Sequence, residues 1–481
     1  MKRISRLYIF LVYTLPAILF FSYYPVISFG TSESMNFEIS LPIIWLVAFD
    51  ILSFIILVKN KMLGKILEKW RWLLLPVFMS LSVIWSANMV RGILTMGVLW
   101  LIYFAVFALV ILKEKVTFLK TFKKNFWKIF FGSSLVVCAW CFLQCILDVA
   151  GVPRECTLMC EGCVSQMFGF PHPNGFAIEP QFMGNLLIAP SIIASYLYIT
   201  KTTPISDTLK GARLSLWSSI GVVLVFIFSA TLFLTFSRGA IYACVIGLVF
   251  LTVFQIVLTK KWKAMLIWLI VGLAFLFILN LQGIFAEIGP TNDTYFSGVA
   301  KVLNHLSLGV IDVRAKDNGA EVSGDLDFSE ETQALSSAQN NEAIFDGYVE
   351  ESTEIRKELT RDALTLWSQD FGTMAFGVGI GGAGQALYDA GLTESPKEIV
   401  QNEFVSLLLE IGVVGVLLVV FTLALVIRMV VRNSAGGVLV SLMVAYGVSL
   451  CFFSGLPNAL HIYLLPVLLS IIFENKNRLV L

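Results

Sequence analysis

Long apolar stretches dominate the chain, and twelve of them approach the length a bilayer requires. A crossing helix needs roughly 20 mostly apolar residues to span about 30 Å of hydrocarbon. The candidate spans cover about 7–29, 39–58, 72–90, 92–112, 128–150, 176–199, 214–236, 239–258, 264–282, 403–427, 437–454 and 458–473. The first is too long for a signal-peptide core and shows no small-residue cleavage pattern, so it reads as a retained helix. The pattern predicts an all-α polytopic membrane protein with about twelve transmembrane helices.

The one sizeable polar interruption, about 283–402, divides the chain into helices 1–9 (1–282), a long outer loop (283–402) and helices 10–12 (403–481). The middle of the loop, about 312–354, is rich in Asp, Glu, Ser, Asn and Gln and reads as a solvated insert. Helical periodicity returns at STEIRKELTRDALTLW, where Ile355, Leu359, Ala363 and Leu366 fall on one face. That spacing predicts an amphipathic helix over about 352–368, lying on the outer face. No internal repeat is evident, which weakens a transporter built from repeats.

Composition sharpens this picture. The 481 residues are 57% hydrophobic and only 14% charged, whereas soluble domains run near 45–50% apolar and about 25% charged. An ordinary soluble enzyme is excluded, and so is global disorder. The net charge of +1 offers no basic surface for nucleic acid. Its distribution is more telling: with both termini in the cytoplasm, 24 of the 34 Lys+Arg lie on the inner side, as the positive-inside rule requires. Of the outer basic residues, only Arg91, Arg154 and Arg238 lie outside the long loop, which itself has a net charge near −13.

Some patterns have competing explanations. Cys138, Cys141 and Cys145 share a helix face, and packing accounts for them. Cys156, Cys160 and Cys163 fall in the outer loop 151–175, where one disulfide among the three would leave the third thiol free. Zinc bound by these thiols and His172 ranks below a disulfide, because a compact CxxxCxxC lacks the second ligand pair of a zinc ribbon. No metal site is predicted. Gly377-Val378-Gly379-Ile380-Gly381-Gly382 matches GxGxxG without the βαβ unit that dinucleotide binding needs. It is either a set of backbone N–H groups crowding an anion or a plain turn.

Charges in or beside hydrocarbon are costly, so each one is a default site hypothesis. Arg238 lies in the tight turn Phe236-Ser237-Arg238-Gly239-Ala240, with no acidic neighbour in sequence. It either snorkels to lipid phosphates or binds a ligand anion, and the second reading is favoured. Arg91, after Trp85-Ser86-Ala87-Asn88, is balanced between the two. Glu179 and Glu403 each open a span, where capping of the helix dipole competes with a catalytic role. Glu410 lies two turns deeper and must pair with an arginine or line a wet cavity. Outer arginines, a Gly-rich turn and surface carboxylates together suit a lipid-borne anion, since guanidinium forks bind phosphate bidentately.

Several segments resemble, in order, the O-antigen ligase/polymerase family of bacterial envelope glycosyltransferases. They are LSVIWSANMVRGILTMGVLW at 81–100, LTFSRGAIYACVIGLV at 234–249, the run from Ser352 through Arg356 to Gly377-Val378-Gly379-Ile380-Gly381, and QNEFVSLLLEIGVVGVLL at 401–418. GFAIEPQFMGN at 175–185 is similar to a Glu-Pro motif of the family's polymerases. The resemblance implies a GT-C-like, metal-independent inverting transferase that needs no cofactor. Its donor would be an undecaprenyl-pyrophosphate-linked glycan, and it would work at the outer face of the cytoplasmic membrane. Carried over by position, Arg238 and Arg356 would hold the pyrophosphate, with Arg361 as a backup and Arg91 as a further candidate. Asn402, Glu410, Gly377 and Gly379 would support the site.

The chain departs from the family where the catalytic histidine should precede Asn402: it has Gln401. An amide can orient an acceptor hydroxyl but cannot act as a general base. Glu179, Glu403 and His172, in that order, are the candidate replacements, and an inactive homologue is the remaining reading. The expected partners are a lipid-linked oligosaccharide donor, a glycan acceptor, membrane lipid and other envelope glycan assembly proteins, with no nucleic acid. Polymerisation of repeat units leads. Ligation of a finished glycan to lipid A core or another envelope acceptor is second, and a non-catalytic lipid-glycan flippase or transporter is the reading from another class.

Overall fold

A computed structural model describes residues 2–21, 25–32, 35–112, 119–200, 214–291, 293–307, 354–431, 436–454 and 459–473. The acidic insert about 312–354 lies outside them except for its last residue. Among the described residues, seven helices are long and apolar enough to cross a membrane: Leu41–Lys59, Met89–Leu112, Asn125–Val149, Pro180–Thr200, Arg238–Thr259, Trp262–Ile288 and Glu403–Val430. Five shorter apolar helices, Arg6–Phe21, Trp70–Trp85, Ile220–Leu234, Gly436–Ser449 and Leu460–Ile472, fall in the other five predicted segments. The chain is an all-α polytopic membrane protein. Hydrocarbon offers no partner for backbone N–H and C=O groups, so spanning segments satisfy them internally as helices.

Pro180–Thr200 is the hub of the bundle, with 83% of its apolar window buried against 11% for Glu403–Val430. Small residues admit its neighbours. A Cβ on Gly184 would meet the Ser237 and Ala240 side chains at 2.8 Å, and one on Gly247 would meet Ile192 at 2.7 Å. Such close approach is how helices pack tightly in a membrane.

Two elements differ from expectation. The first predicted span ends early: the helix Lys2–Ile18 gives way to one tight turn, Leu19–Phe21, and then to an antiparallel hairpin of Pro25–Ser32 and Met35–Ser40. Pro25 disfavours helix in the residue before it, and Met35, Phe37 and Ile39 alternate with Asn36, Glu38 and Ser40 at the period of a strand. The second difference lies in Glu403–Val431, where Gly412 breaks the helix at φ 61°, ψ −173°.

The long loop begins with the helix Tyr295–Leu306, whose N-cap Thr294 accepts from Ser297 N. The predicted amphipathic helix is present over 354–367, with Leu359, Ala363 and Leu366 buried and Ile355 exposed. Two short helices follow, Phe371–Phe376 and Ala383–Asp389. Together they bury a small core of Ala363, Leu366, Ala383, Leu387, Val400 and Leu409. This layer packs on the helix Glu403–Val431 and reaches the start of Pro180–Thr200 through Arg356.

Candidate functional site

The approach to Glu179 is built on buried amides. Gln144 Oε1 accepts from Gly175 N at 2.8 Å, and its Nε2 donates to Thr157 O at 3.0 Å. Asn174 Nδ2 donates to Ala177 O at 2.6 Å and to Leu158 O at 3.2 Å. Gly175 has φ +58°, and a Cβ there would strike Met183 Sδ at 2.6 Å. These bonds hold the segment 172–179 against Gln144 of the helix Leu119–Val149 and the loop that follows it, and Glu179 is exposed just before the hub helix.

Cys160 and Cys163 form a disulfide and Cys156 is a free, exposed thiol. Among the described residues no group of three His, Cys, Asp or Glu could hold a metal ion. His172 is buried, and its Nδ1 bonds to Cys163 O at 3.0 Å. Its ring packs on Phe168 at a tilt of 34°, with centroids 4.1 Å apart. Burial pushes His172 down to about 4, so the ring is neutral and committed to packing.

Arg356 projects from the helix 354–367 toward this corner. Its Nη2 lies 3.5 Å from Gln181 Oε1, and its guanidinium acts on the Glu179 carboxylate. Partial burial raises Glu179 above its ordinary value, while Arg356 lowers it. Arg361 does not join them. Five residues along a helix is a rotation of about 140° from the Arg356 face, and its exposed side chain pairs with Asp362 at 3.8 Å.

Arg238 is the first residue of its helix, after the N-cap Ser237. The turn before it requires Phe236 at φ 48°, a left-handed conformation that costs a non-glycine residue roughly 1–2 kcal/mol. His305, on the loop helix Tyr295–Leu306, bonds through Nε2 to Phe236 O at 3.2 Å. Phe170 packs on the Phe236 ring with centroids 4.7 Å apart. The turn sits directly on Gly184, three residues from Gln181, and residues so spaced are neighbours on one helix face. The two arginine-bearing elements therefore converge on one turn of the hub helix. Burial pushes His305 down to about 3, helped by the Arg238 guanidinium and by His172.

At the third helix start, Asn402 is the cap: its Oδ1 accepts from Phe404 N at 3.1 Å and Val405 N at 3.2 Å. Glu403 is buried, with Oε2 accepting from Ser454 Oγ at 3.0 Å and its N–H donating to Leu450 O at 2.9 Å. Gln401 Oε1 is buried and has no hydrogen-bond partner among the described residues. Ser449 Oγ donates to Asn185 Oδ1, tying this end of the bundle to the hub.

The Gly-rich turn packs against the break at Gly412. Val378 N and Gly379 N each donate, at 2.9 Å, to the freed carbonyls of Leu409 and Glu410. The Glu410 carboxylate accepts from the backbone of Gly381 and Ala383, and Arg91 is the cation acting on it. Ser86 Oγ donates to Ile380 O at 2.9 Å, and Ala87 N to Val378 O at 3.0 Å. Gly377, Gly379, Glu410 and Arg91 thus form one structural joint, whose anion is the protein's own carboxylate.

Sequence reasoning missed His305, Gln181 and Asn185. The Gln181–Asn185 spacing at the start of a span was a visible signal, whereas His305 sits in a polar stretch and is recruited only by the fold.

The N-termini of the helices Pro180–Thr200 and Arg238–Thr259 adjoin at this face, each equivalent to roughly half a positive charge, beside Arg238 and Arg356. The arrangement can bind an anion and offers one exposed carboxylate, Glu179, next to it. No curated protein matches the chain. Residues 223–420 match the family model described as O-antigen ligase, a stretch that begins before the Arg238 turn and ends beyond the Gly412 break. With the helical bundle, this match over residues 223–420 supports the O-antigen ligase/polymerase family for the chain.

Proposed function

We propose that the protein is an inverting glycosyltransferase. It polymerises undecaprenyl-pyrophosphate-linked glycan repeat units at the outer face of the cytoplasmic membrane. The observation that carries this reading is the convergence of Arg356 and the Arg238 turn on one helix turn, beside Glu179. The family match supports a glycosyltransferase-like enzyme acting on lipid-linked glycan. The Glu-Pro motif at Glu179-Pro180 favours polymerisation over ligation.

In the reaction, Glu179 takes the proton of the acceptor hydroxyl. The freed oxygen forms a bond to the anomeric carbon from the face opposite the lipid. The bond from that carbon to the pyrophosphate oxygen breaks, and the electron pair leaves with the pyrophosphate. Arg238, Arg356 and the helix N-termini are fixed charges that offset the charge developing there, which a preorganised site does without reorganisation. The two guanidinium groups supply the charge that a metal would otherwise bring. Gln401, whose buried side-chain oxygen has no hydrogen-bond partner among the described residues, would orient the acceptor by hydrogen bonding.

The test is purified protein in lipid with a defined lipid-linked donor, alongside Arg238→Ala and Arg356→Ala scored in cells by the length ladder of the surface glycan. Chain growth with wild type and shortened ladders with both variants support the reading. Normal ladders at normal abundance in both variants overturn the pyrophosphate assignment. A single transfer to a different acceptor would indicate a ligase, and no turnover would favour a flippase or transporter.

A further inference from the structure

His305 lies outside every motif that the proposed reaction uses, yet it touches the backbone from which Arg238 springs. A carbonyl can only accept, so the 3.2 Å contact with Phe236 O makes Nε2 the protonated nitrogen. Nδ1 then carries the lone pair; it is buried, with no hydrogen-bond partner among the described residues. Phe236 cannot relax into an ordinary turn without moving Ser237 and Arg238, because its φ is 48° and the turn is pressed on Gly184. The His305 ring is enclosed by Phe168, Phe170 and Phe236, at centroid distances of 5.4, 5.9 and 6.4 Å. Its helix is anchored separately: a Cβ on Gly298 would strike Ala286 at 2.4 Å, and Lys301 pairs with Asp293 at 2.7 Å.

We infer that His305 is a positioning residue for Arg238: its Nε2–H clamps the left-handed Phe236 turn and so sets where the guanidinium meets the donor pyrophosphate. The inference rests on the proposed role of Arg238. The long loop is thereby coupled to the membrane helices, since a loop side chain holds the turn between two of them. A neutral ring is required, because an imidazolium beside Arg238 would compete with it for the anion and repel it.

The test is a double-mutant cycle on the full-length protein with the lipid-linked donor, measuring kcat and KM for each variant. His305→Phe fills the aromatic box without a donor, whereas His305→Gln places an amide N–H near the former Nε2. His305→Phe should lower kcat/KM by about 10²-fold, the scale of a misplaced catalytic group, and His305→Gln should recover most of that loss. In an Arg238→Ala background, His305→Phe should cost nothing further. A full additional loss in that background, or normal kinetics in His305→Phe, overturns the inference. If His305→Phe does not fold, His305→Asn replaces it, because its shorter amide does not reach Phe236 O; equal rates for His305→Asn and His305→Gln overturn the inference. An Arg238→Ala enzyme with normal kinetics instead overturns the pyrophosphate reading, so the two failures are distinct.

Discussion

Gly377 lies so close to Glu410 that a Cβ on it would sit 2.4 Å from the Glu410 carbonyl carbon and oxygen. Its φ of +73° is also one that side chains rarely adopt. Gly412 meets the Ala375 carbonyl in the same way, at 2.4 Å and φ +61°. Glycine is required at both positions by the contact between the Gly-rich turn and the broken helix. Gly377→Ala and Gly412→Ala should each destabilise the protein by about 3 kcal/mol or more, combining left-handed strain with overpacking against backbone. Gly97→Ala is the control: nothing lies within 4 Å of its Cβ, and alanine in a helix interior is worth about 0.5–1 kcal/mol over glycine. Thermal unfolding in detergent should drop sharply for the first two and hold or rise for the third.

The arginines differ from generic positive charge. Arg238→Ala and Arg356→Ala should each lower kcat by about 10²–10³-fold, the cost of removing one donor aimed at developing charge. Arg238→Lys and Arg356→Lys keep the charge but lose the planar fork, and they should fall between wild type and alanine. Arg361→Ala, whose side chain pairs with Asp362, should leave donor kinetics unchanged, because an exposed pair contributes little. A loss in Arg361→Ala equal to that in Arg356→Ala would mean that the two arginines share the role.

Hydropathy alone located the twelve apolar helices among the described residues, because crossing hydrocarbon imposes a length and a composition on each segment separately. The helix 354–367 was legible from the spacing of Leu359, Ala363 and Leu366. The break at Gly412 was not, since a glycine in an apolar run reads as helix until a second segment arrives to take Leu409 O and Glu410 O. The hairpin 25–40 was hidden because its residues are apolar enough to extend the first span. The candidate site divides along the same line. Arg238 was visible as a charge with no acidic neighbour in sequence and Glu179 as a carboxylate opening a span, whereas Arg356 came only through the family resemblance. That Gly377, Gly379, Arg91 and Glu410 satisfy one another, and that His305 holds the Arg238 turn, depends on contacts between residues far apart in sequence.

The loop cysteines report on orientation. Cys156 is free and exposed while Cys160 and Cys163 are bridged. In intact cells stripped of their outer barrier, a membrane-impermeant maleimide should label Cys156 directly. It should reach Cys160 only after a reductant has opened the bridge to the buried Cys163. Peptide mass spectrometry of the 151–175 segment separates its three sites from the other exposed free thiol, Cys451, and Cys156→Ser should abolish the label seen in that segment without reductant. Labelling that appears only after the membrane is permeabilised would invert the topology and remove the outer-face site.

The acid limb of the pH–rate profile tests the Glu179 assignment. A general base works when ionised, so the rate falls as pH drops through its pKa. Desolvation by the surrounding chain raises Glu179 from its ordinary value and the Arg356 charge opposes that rise. Removing the charge in Arg356→Ala removes the lowering influence, so the limb should move to higher pH, whereas Arg356→Lys should leave it near the wild-type position. Glu179→Gln should lose the limb and about 10²–10⁴-fold in rate, the usual contribution of a positioned base. Residual activity in Arg356→Ala must be sufficient to trace the profile, which a radiolabelled donor allows. An unshifted limb in Arg356→Ala, or the same limb persisting in Glu179→Gln, would assign the proton transfer to another group.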